Sequence, residues 1–255
     1  MNQVVVCYKW VMDETYLRIN GDLSVDASKV MWKINSYDKN AIEAGVRVAK
    51  AAGTKVTGLT FGSDAARKSF KDALSRGLDN AYFVYAAEAD GADAAVTGRS
   101  LAAGVKQIGM DSLIVCSEGS SDKYQRQIAS RIGALLDVPV ITSVASMSIE
   151  GNVLTATRRL EGSMQTVCVE LPAVVSVLPE INEAPIPAIK AILAAKKKET
   201  VELSAEELGV DLTSASTVSD TQGYVTQRKN IVFADGSVEE RVSAFVEALR
   251  KEGVA

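Results

Sequence analysis

The residues from Asp111 to Gln127 are the best equipped in this chain to do chemistry. Leu113-Ile114-Val115-Cys116 reads as a buried strand, and Ser117-Glu118-Gly119-Ser120-Ser121 follows as a loop of mostly small residues. Asp122 is expected to cap a helix that runs through Gln127 towards Leu136. A strand that feeds a small-residue loop and then a helix start leaves backbone N–H groups and hydroxyls converging on one point. Such a point suits a phosphate group. The loop is neither a GxxxxGK(S/T) phosphate loop nor a GxGxxG dinucleotide fingerprint. Asp122 is itself negative and is better used as an N-cap, worth about 1 kcal/mol. The hydroxyls of Ser120 and Ser121 are therefore the expected ligand contacts.

Two other strand-to-helix junctions belong with it. Lys33-Ile34-Asn35-Ser36-Tyr37-Asp38 offers Asn35 or Ser36 as the cap of a following helix, and puts Tyr37 where it could face either a flat ring or the core. Thr60-Phe61-Gly62-Ser63 is the third junction. If the strands are parallel, all three loops emerge at one end of the sheet and can share one ligand.

Composition narrows the chemistry further. The 255 residues contain no histidine, so neither a Ser-His-Asp nor a Cys-His system, nor a histidine-ligated zinc site, can be built within the chain. No catalytic side chain and no metal ligand set is assigned. The reading moves towards a protein that positions something. A net charge of −4 makes no electrostatic case for nucleic acid or an anionic membrane. The N-terminus lacks a basic flank and a cleavage site, and no apolar run approaches about 18 residues; a cytoplasmic location is expected. Cys7, Cys116 and Cys168 are widely spaced in apolar segments and are expected to be buried free thiols.

The elements that must position these loops follow from periodicity. Strands are expected at Val4 to Tyr8, Val56 to Phe61, Ala81 to Tyr85 and Leu113 onwards, separated by helices at Tyr37 to Ala52, Ser63 to Arg76 and Asp93 to Ile108. Gly77 and Gly109 stand just past two of those helix ends, where a glycine stop is expected. This alternation implies an α/β fold with a Rossmann-like, doubly wound, mostly parallel sheet.

All five prolines lie beyond residue 138, and the pattern changes there. Val144 to Ile149 and Val153 to Arg158 alternate about Glu150-Gly151-Asn152, a hairpin signal that adds antiparallel strands; further strands fall near Thr166 to Val169 and Val174 to Val177. A short helix, Ala188 to Ala195, carries Ile189, Ile192 and Leu193 after Ile186 and ends in Lys196-Lys197-Lys198. An apolar face rimmed by lysines suits docking to another protein. Glu199 to Gln227 is polar without core periodicity, and an amphipathic helix from Val238 to Lys251 closes the chain. Residues 1–195 are expected to form the α/β domain, and 196–255 an arm laid over a partner.

Together these residues resemble the beta (small) subunit of the electron-transfer flavoprotein family, and its FixA-like branch in particular. The markers are Cys7-Tyr8-Lys9, the run Asn35 to Ala44, Leu74-Ser75-Arg76-Gly77, Gly119-Ser120-Ser121-Asp122 with Gln127, and Ile181 to Pro185 leading to Ala194 to Lys198. The most specific is the signature region from Ala156 to Gln165, continuing through Val167 to Ser176, in which Ser163 departs from the usual glycine or acidic residue.

The resemblance implies a heterodimer. An alpha subunit carries the redox-active FAD, and this subunit frames that flavin and buries an adenine nucleotide, AMP or a second FAD. The positions that match are Cys7, Asn35, Ser36, Tyr37, Asp38, Phe61, Ser117, Glu118, Gly119, Ser120, Ser121, Asp122, Lys123, Tyr124, Gln125, Gln127 and Ile128. Tyr37 falls where the family sets an aromatic against the partner's flavin. Ile189, with Lys196 and Lys197, matches the element that docks on acyl-CoA dehydrogenases or reductases. Lys123, Tyr124 and Gln125 replace a Gly-Asp-Thr or acidic run: Tyr124 could cover the adenine or fill the space of a larger flavin, and Lys123 could bind phosphate or point to water. Alternatives are an electron-bifurcating subunit that binds FAD and oxidises NADH, and an ATP-binding sensor of the universal-stress type.

Overall fold

The computed structural model describes residues 1–225 and 228–254. The last two residues of the polar stretch expected to end at Gln227, and Ala255 of the expected arm, lie outside the described residues.

Short apolar runs build the centre of the sheet. Strands β1 (Gln3–Cys7), β2 (Trp10–Met12), β3 (Arg18–Ile19), β4 (Val25–Asp26) and β5 (Trp32–Ile34) precede helix α1 (Ser36–Ala52). Then come β6 (Lys55–Gly62), α2 (Phe70–Ser75), β7 (Asn80–Tyr85), α3 (Ala94–Ile108), β8 (Ser112–Ser117) and α4 (Ile128–Leu136). The later elements are β9 (Val140–Glu150), β10 (Val153–Leu160), β11 (Ser163–Glu170), β12 (Ala173–Val177), α5 (Ile189–Ala195), β13 (Thr200–Ser204) and α6 (Val238–Lys251).

One sheet runs in the order β11-β10-β9-β12-β8-β1-β6-β7-β13. From β9 to β13 through β12, neighbours are parallel; β10 is antiparallel to both β9 and β11. The chain moves from β1 outwards through β6 and β7, then returns to the other side of β1 as β8. That reversal creates a topological switch point between β1 and β8, the place where open α/β sheets bind ligands.

Strand alternation sorts the core into two layers. Val4 and Val6 of β1, with Leu113 and Val115 of β8, join Ile42 and Val48 of α1 and Leu74 of α2 on one face. Val5 and Cys7, with Ile114 and Cys116, join Leu101 and Val105 of α3 and Ile132 of α4 on the other. A strand buried on both faces reads as a continuous apolar run, as β1 and β8 do.

Several boundaries differ from the sequence reading. The expected helix from Ser63 to Arg76 is a 3-10 segment at Asp64–Ser69 followed by the short α2. The helix expected from Asp122 begins at Ile128, because Tyr124 and Arg126 take positive φ of 42° and 57° that no helix accommodates. Thr200–Ser204, within the stretch read as polar and without core elements, is an edge strand parallel to β7. Cys168 is exposed on β11, whereas Cys7 and Cys116 are buried. Gly109 closes α3 with φ of +133°, a backbone that requires glycine but lies outside the left-handed helical well.

Contacts divide the chain into a large unit, Met1–Arg18 with Asp26–Thr221, and a small one formed by Ile19–Val25 and the chain from Gln222. In the small unit Ser24 bridges to Gln222, Phe233 packs edge-on to Phe245 at 5.9 Å, and Ser237 with Glu240 forms a capping box at the start of α6. None of the residues of α6 is buried, and Val238, Val242 and Phe245 are exposed.

Candidate functional site

A cavity of about 530 Å³ opens at the carboxyl ends of β1, β6 and β8. The three loops singled out from the sequence meet there. Cys7, Asn35, Asp38, Phe61, Ser117 through Lys123, Gln125, Gln127 and Ile128 all line it. Ser36, Tyr37 and Tyr124 do not. Ile189, at the start of α5, and Lys196 and Lys197, just after its end, are also outside it.

Asn35 organises one wall. It occupies the N-cap position of α1 but makes no capping bond. Its fully buried carboxamide instead donates from Nδ2 to the Gly119 carbonyl at 2.9 Å, and its Oδ1 accepts from the Ser121 N–H at 3.0 Å. One side chain therefore grips the loop after β8 at two backbone groups, as a neighbouring strand would.

Asp38, one turn into α1, is buried and tied to both other strands. It accepts the Lys9 N–H at 2.7 Å and is hydrogen-bonded to the Ser117 hydroxyl. That hydroxyl also donates to the Gly119 carbonyl at 2.8 Å. Burial pushes the Asp38 carboxyl up, and bonds from Ser117, the Lys9 amide and Asn35 oppose it, leaving the group at about 7. With one hydrogen on Ser117 and two acceptors beside it, protonation of Asp38 lets the carboxyl donate to Ser117 while Ser117 donates to Gly119.

Asp122 is not the cap of α4. It pairs with the Lys9 ammonium across the cavity, and although burial pushes its carboxyl up, the Lys9 charge brings it below the usual range. The N-cap position of α4 falls on Gln127, which makes no side-chain cap; its Oε1 accepts from Arg131 instead, at 2.8 and 3.0 Å. The first-turn N–H groups of α4 therefore carry no side-chain partner at the cavity wall. Ser121 Oγ, also on that wall, is buried without a hydrogen-bond partner. Lys123 donates to the Ala92 carbonyl at 3.1 Å and so links the loop to the start of α3.

Tyr124 faces away from the cavity. Its ring lies 5.5 Å from Tyr37, its hydroxyl donates to Glu118 at 2.8 Å, and Arg126 pairs with the same Glu118 at 3.2 Å. The ring lies so close over Gly119 that a Cβ there would sit 2.7 Å from it, and any other residue would have to displace the Tyr124 ring.

Sequence reasoning missed part of the lining. The two tryptophans of the chain, Trp10 and Trp32, both stand in the β2–β5 ribbon and both line the cavity, Trp10 with its Nε1 buried and unpartnered. Three-residue strands are too short for a periodic signal. Lys9, quoted only within a marker, was legible as the residue leaving a buried strand. Asp93, the N-cap of α3, borders the cavity and accepts from Ala95 and Val96 at 2.8 and 2.9 Å, while also accepting from Ala215 at 2.7 Å.

The outer elements hold the expected docking residues. Ile186, Ile189 and Leu193 are exposed by 94, 78 and 58 %. Of the basic run, Lys198 is committed to the carbonyl of Leu74, at 3.0 Å, and to that of Leu78. Among the described residues no helix is long and apolar enough to cross a membrane, and no cluster of His, Cys, Asp and Glu could hold a metal ion.

An orphan hydroxyl, uncapped helix N–H groups and the Lys9 ammonium are donors that suit a phosphate, and Trp10, Trp32 and Phe61 add aromatic surface to the same lining. A family model described as an electron transfer flavoprotein domain matches residues 22–208.

Proposed function

The chain belongs to the electron transfer flavoprotein domain family, and from that premise we propose that it is the small, beta subunit of a heterodimer, carrying an adenine nucleotide in the cavity at the β1/β8 switch point. The nucleotide is AMP, or a second FAD. The carrying observation is Ser121 Oγ, buried without a partner in a cavity whose about 530 Å³ is ordinary for a small-molecule site. An FAD bound mainly by an alpha subunit supplies the redox chemistry.

Residues of this chain then act by position. Lys9 and the start of α4 receive the phosphate, and Asn35 holds Gly119 and Ser121 at the spacing that the phosphate meets. Trp10, Trp32 and Phe61 exclude water from the base. Tyr37 and Tyr124 offer a paired aromatic surface beside Arg126 for the partner's flavin. Ile189 and Leu193 are the apolar contacts for an acyl-CoA dehydrogenase or reductase. The edge strand β13 and the chain to Thr221 stay with the large unit, so the arm for the alpha subunit is the chain from Gln222 onwards, with the exposed apolar side of α6.

Co-expression with a candidate alpha subunit, followed by denaturing release and mass identification of bound nucleotides, tests this reading. One FAD and one AMP per heterodimer support the carrier. Two FAD per heterodimer would instead favour a bifurcating subunit, and a homodimer with ATP a nucleotide sensor.

A further inference from the structure

We propose that Cys7 and Cys116 form a vicinal dithiol that closes reversibly into a disulfide within the cavity, with a hydroperoxide as the oxidant. This goes beyond the proposed function and does not depend on it. β1 and β8 pair in parallel with a constant register, from Gln3 opposite Ser112 to Val6 opposite Val115. One further residue sets Cys7 opposite Cys116. Both side chains alternate to the same face of the sheet, in the layer shared with α3 and α4. Neighbouring strands lie about 4.8 Å apart, inside the roughly 4.4–6.8 Å that separates the Cα atoms of a disulfide.

Access distinguishes this pair from ordinary core thiols. Cys7 and Cys116 are only 5 and 3 % exposed, yet both line the cavity. A small uncharged peroxide can enter the cavity that both sulfur atoms border. The two groups also sense each other: its hydrogen bond with the Cys7 side chain, and then burial, hold the Cys116 thiol well above its ordinary range. Either sulfur can react with the peroxide first, and the other then closes the bond.

The chemistry balances in two steps. With Cys7 reacting first, its sulfur attacks hydrogen peroxide, the O–O bond breaks, and a sulfenic acid and one water form. The Cys116 sulfur then attacks the Cys7 sulfur; the S–O bond breaks, the S–S bond forms and a second water leaves with the thiol proton. Two thiols are oxidised and one peroxide is reduced to two waters. An external dithiol in excess reopens the bridge by thiol–disulfide exchange. Cys168 is exposed on β11, away from the other two cysteines, and serves as the internal control.

The test treats the full-length chain with hydrogen peroxide under native conditions, blocks the remaining thiols and maps peptides without reduction. A linked pair containing residues 7 and 116, lighter than its separate peptides by about 2 Da and released by dithiothreitol, is expected. Cys168→Ser keeps the link, whereas Cys7→Ser or Cys116→Ser removes it. The map of the unaltered chain decides the matter even if a variant misfolds. Oxidised Cys168 beside free Cys7 and Cys116, or separate sulfinic acids at the two positions, overturns the proposal.

Discussion

Asn35 binds Ser121 across 86 positions of sequence: the carboxamide Oδ1 accepts the Ser121 N–H at 3.0 Å while Nδ2 holds the Gly119 carbonyl at 2.9 Å. The loop that would receive a phosphate is thus shaped by a residue on a different strand-to-helix junction. Asn35→Ala leaves the part-buried Ser121 N–H without its acceptor and takes one of two donors from the Gly119 carbonyl, which keeps the Ser117 hydroxyl; the expected loss of stability is about 1–3 kcal/mol. Denaturant unfolding measures that loss, and the purified heterodimer should retain less adenine nucleotide than FAD. Unchanged nucleotide content in the variant contradicts the role given to Asn35.

Asp38 makes stability depend on pH. Unfolded, its carboxyl ionises near 3.9; folded, burial holds it at about 7. Between those values the unfolded chain has released a proton that the folded chain keeps, so stability falls as pH rises through the window and levels above it. The full penalty is about 4 kcal/mol. Asp38→Asn has no proton to lose, and its amide can donate to Ser117 as the protonated acid does. The difference in unfolding free energy between variant and parent should grow from roughly pH 4 to pH 7; parallel profiles would refute the assignment.

Lys9 brings the ammonium to the cavity and holds Asp122. Lys9→Met should weaken AMP binding by at least about tenfold, or 1.4 kcal/mol. Because Trp10 and Trp32 are the chain's only tryptophans and both line the cavity, their fluorescence reports the titration directly. A variant that binds AMP as the parent does would remove Lys9 from the phosphate site.

Ile189 is 78 % exposed, so its truncation should alter stability by less than about 0.5 kcal/mol. Ile189→Ala should nonetheless slow reduction of the heterodimer by its dehydrogenase in stopped-flow measurements, with flavin content unchanged. Unaltered partner kinetics would leave α5 without a docking role.

Asp93 joins two segments by accepting N–H groups from the first turn of α3 and from Ala215. The α3 amide of Val96, foremost among these bonds, holds its carboxyl below the usual range. Asp93→Ala removes the cap, a loss of about 1 kcal/mol, and frees the neighbouring chain. Limited proteolysis between Asp211 and Thr221 should accelerate; an unchanged cleavage rate would show that the segment is held by other contacts.

The parallel sheet was legible because β1, β6, β7 and β8 are short, largely apolar runs that alternate with amphipathic helices, two of them followed by Gly77 and Gly109. The hairpin about Gly151 was legible from period-two alternation. What the sequence concealed was non-local. Nothing in Asp122 to Gln127 announces left-handed backbone at Tyr124 and Arg126, so the expected cap falls five residues before the observed one at Gln127. Thr200–Ser204 alternates Val201 and Leu203, but a short edge strand becomes visible only beside β7. Asn35 looked like a local cap because its true partners lie on another loop. The convergence of the three loops was foreseen from topology alone; the tryptophan wall, borne on three-residue strands, was not.

The central claim is that an adenylate sits in the cavity between Lys9, Ser121 and the start of α4. Quantifying the nucleotides released by denaturing the purified complex tests it most directly, in the parent and in Lys9→Met. Stoichiometric AMP, or a second FAD, is expected in the parent and a clear loss of that nucleotide in the variant, with the partner's FAD retained. A parent complex that releases no adenine nucleotide beyond the partner's FAD contradicts the account.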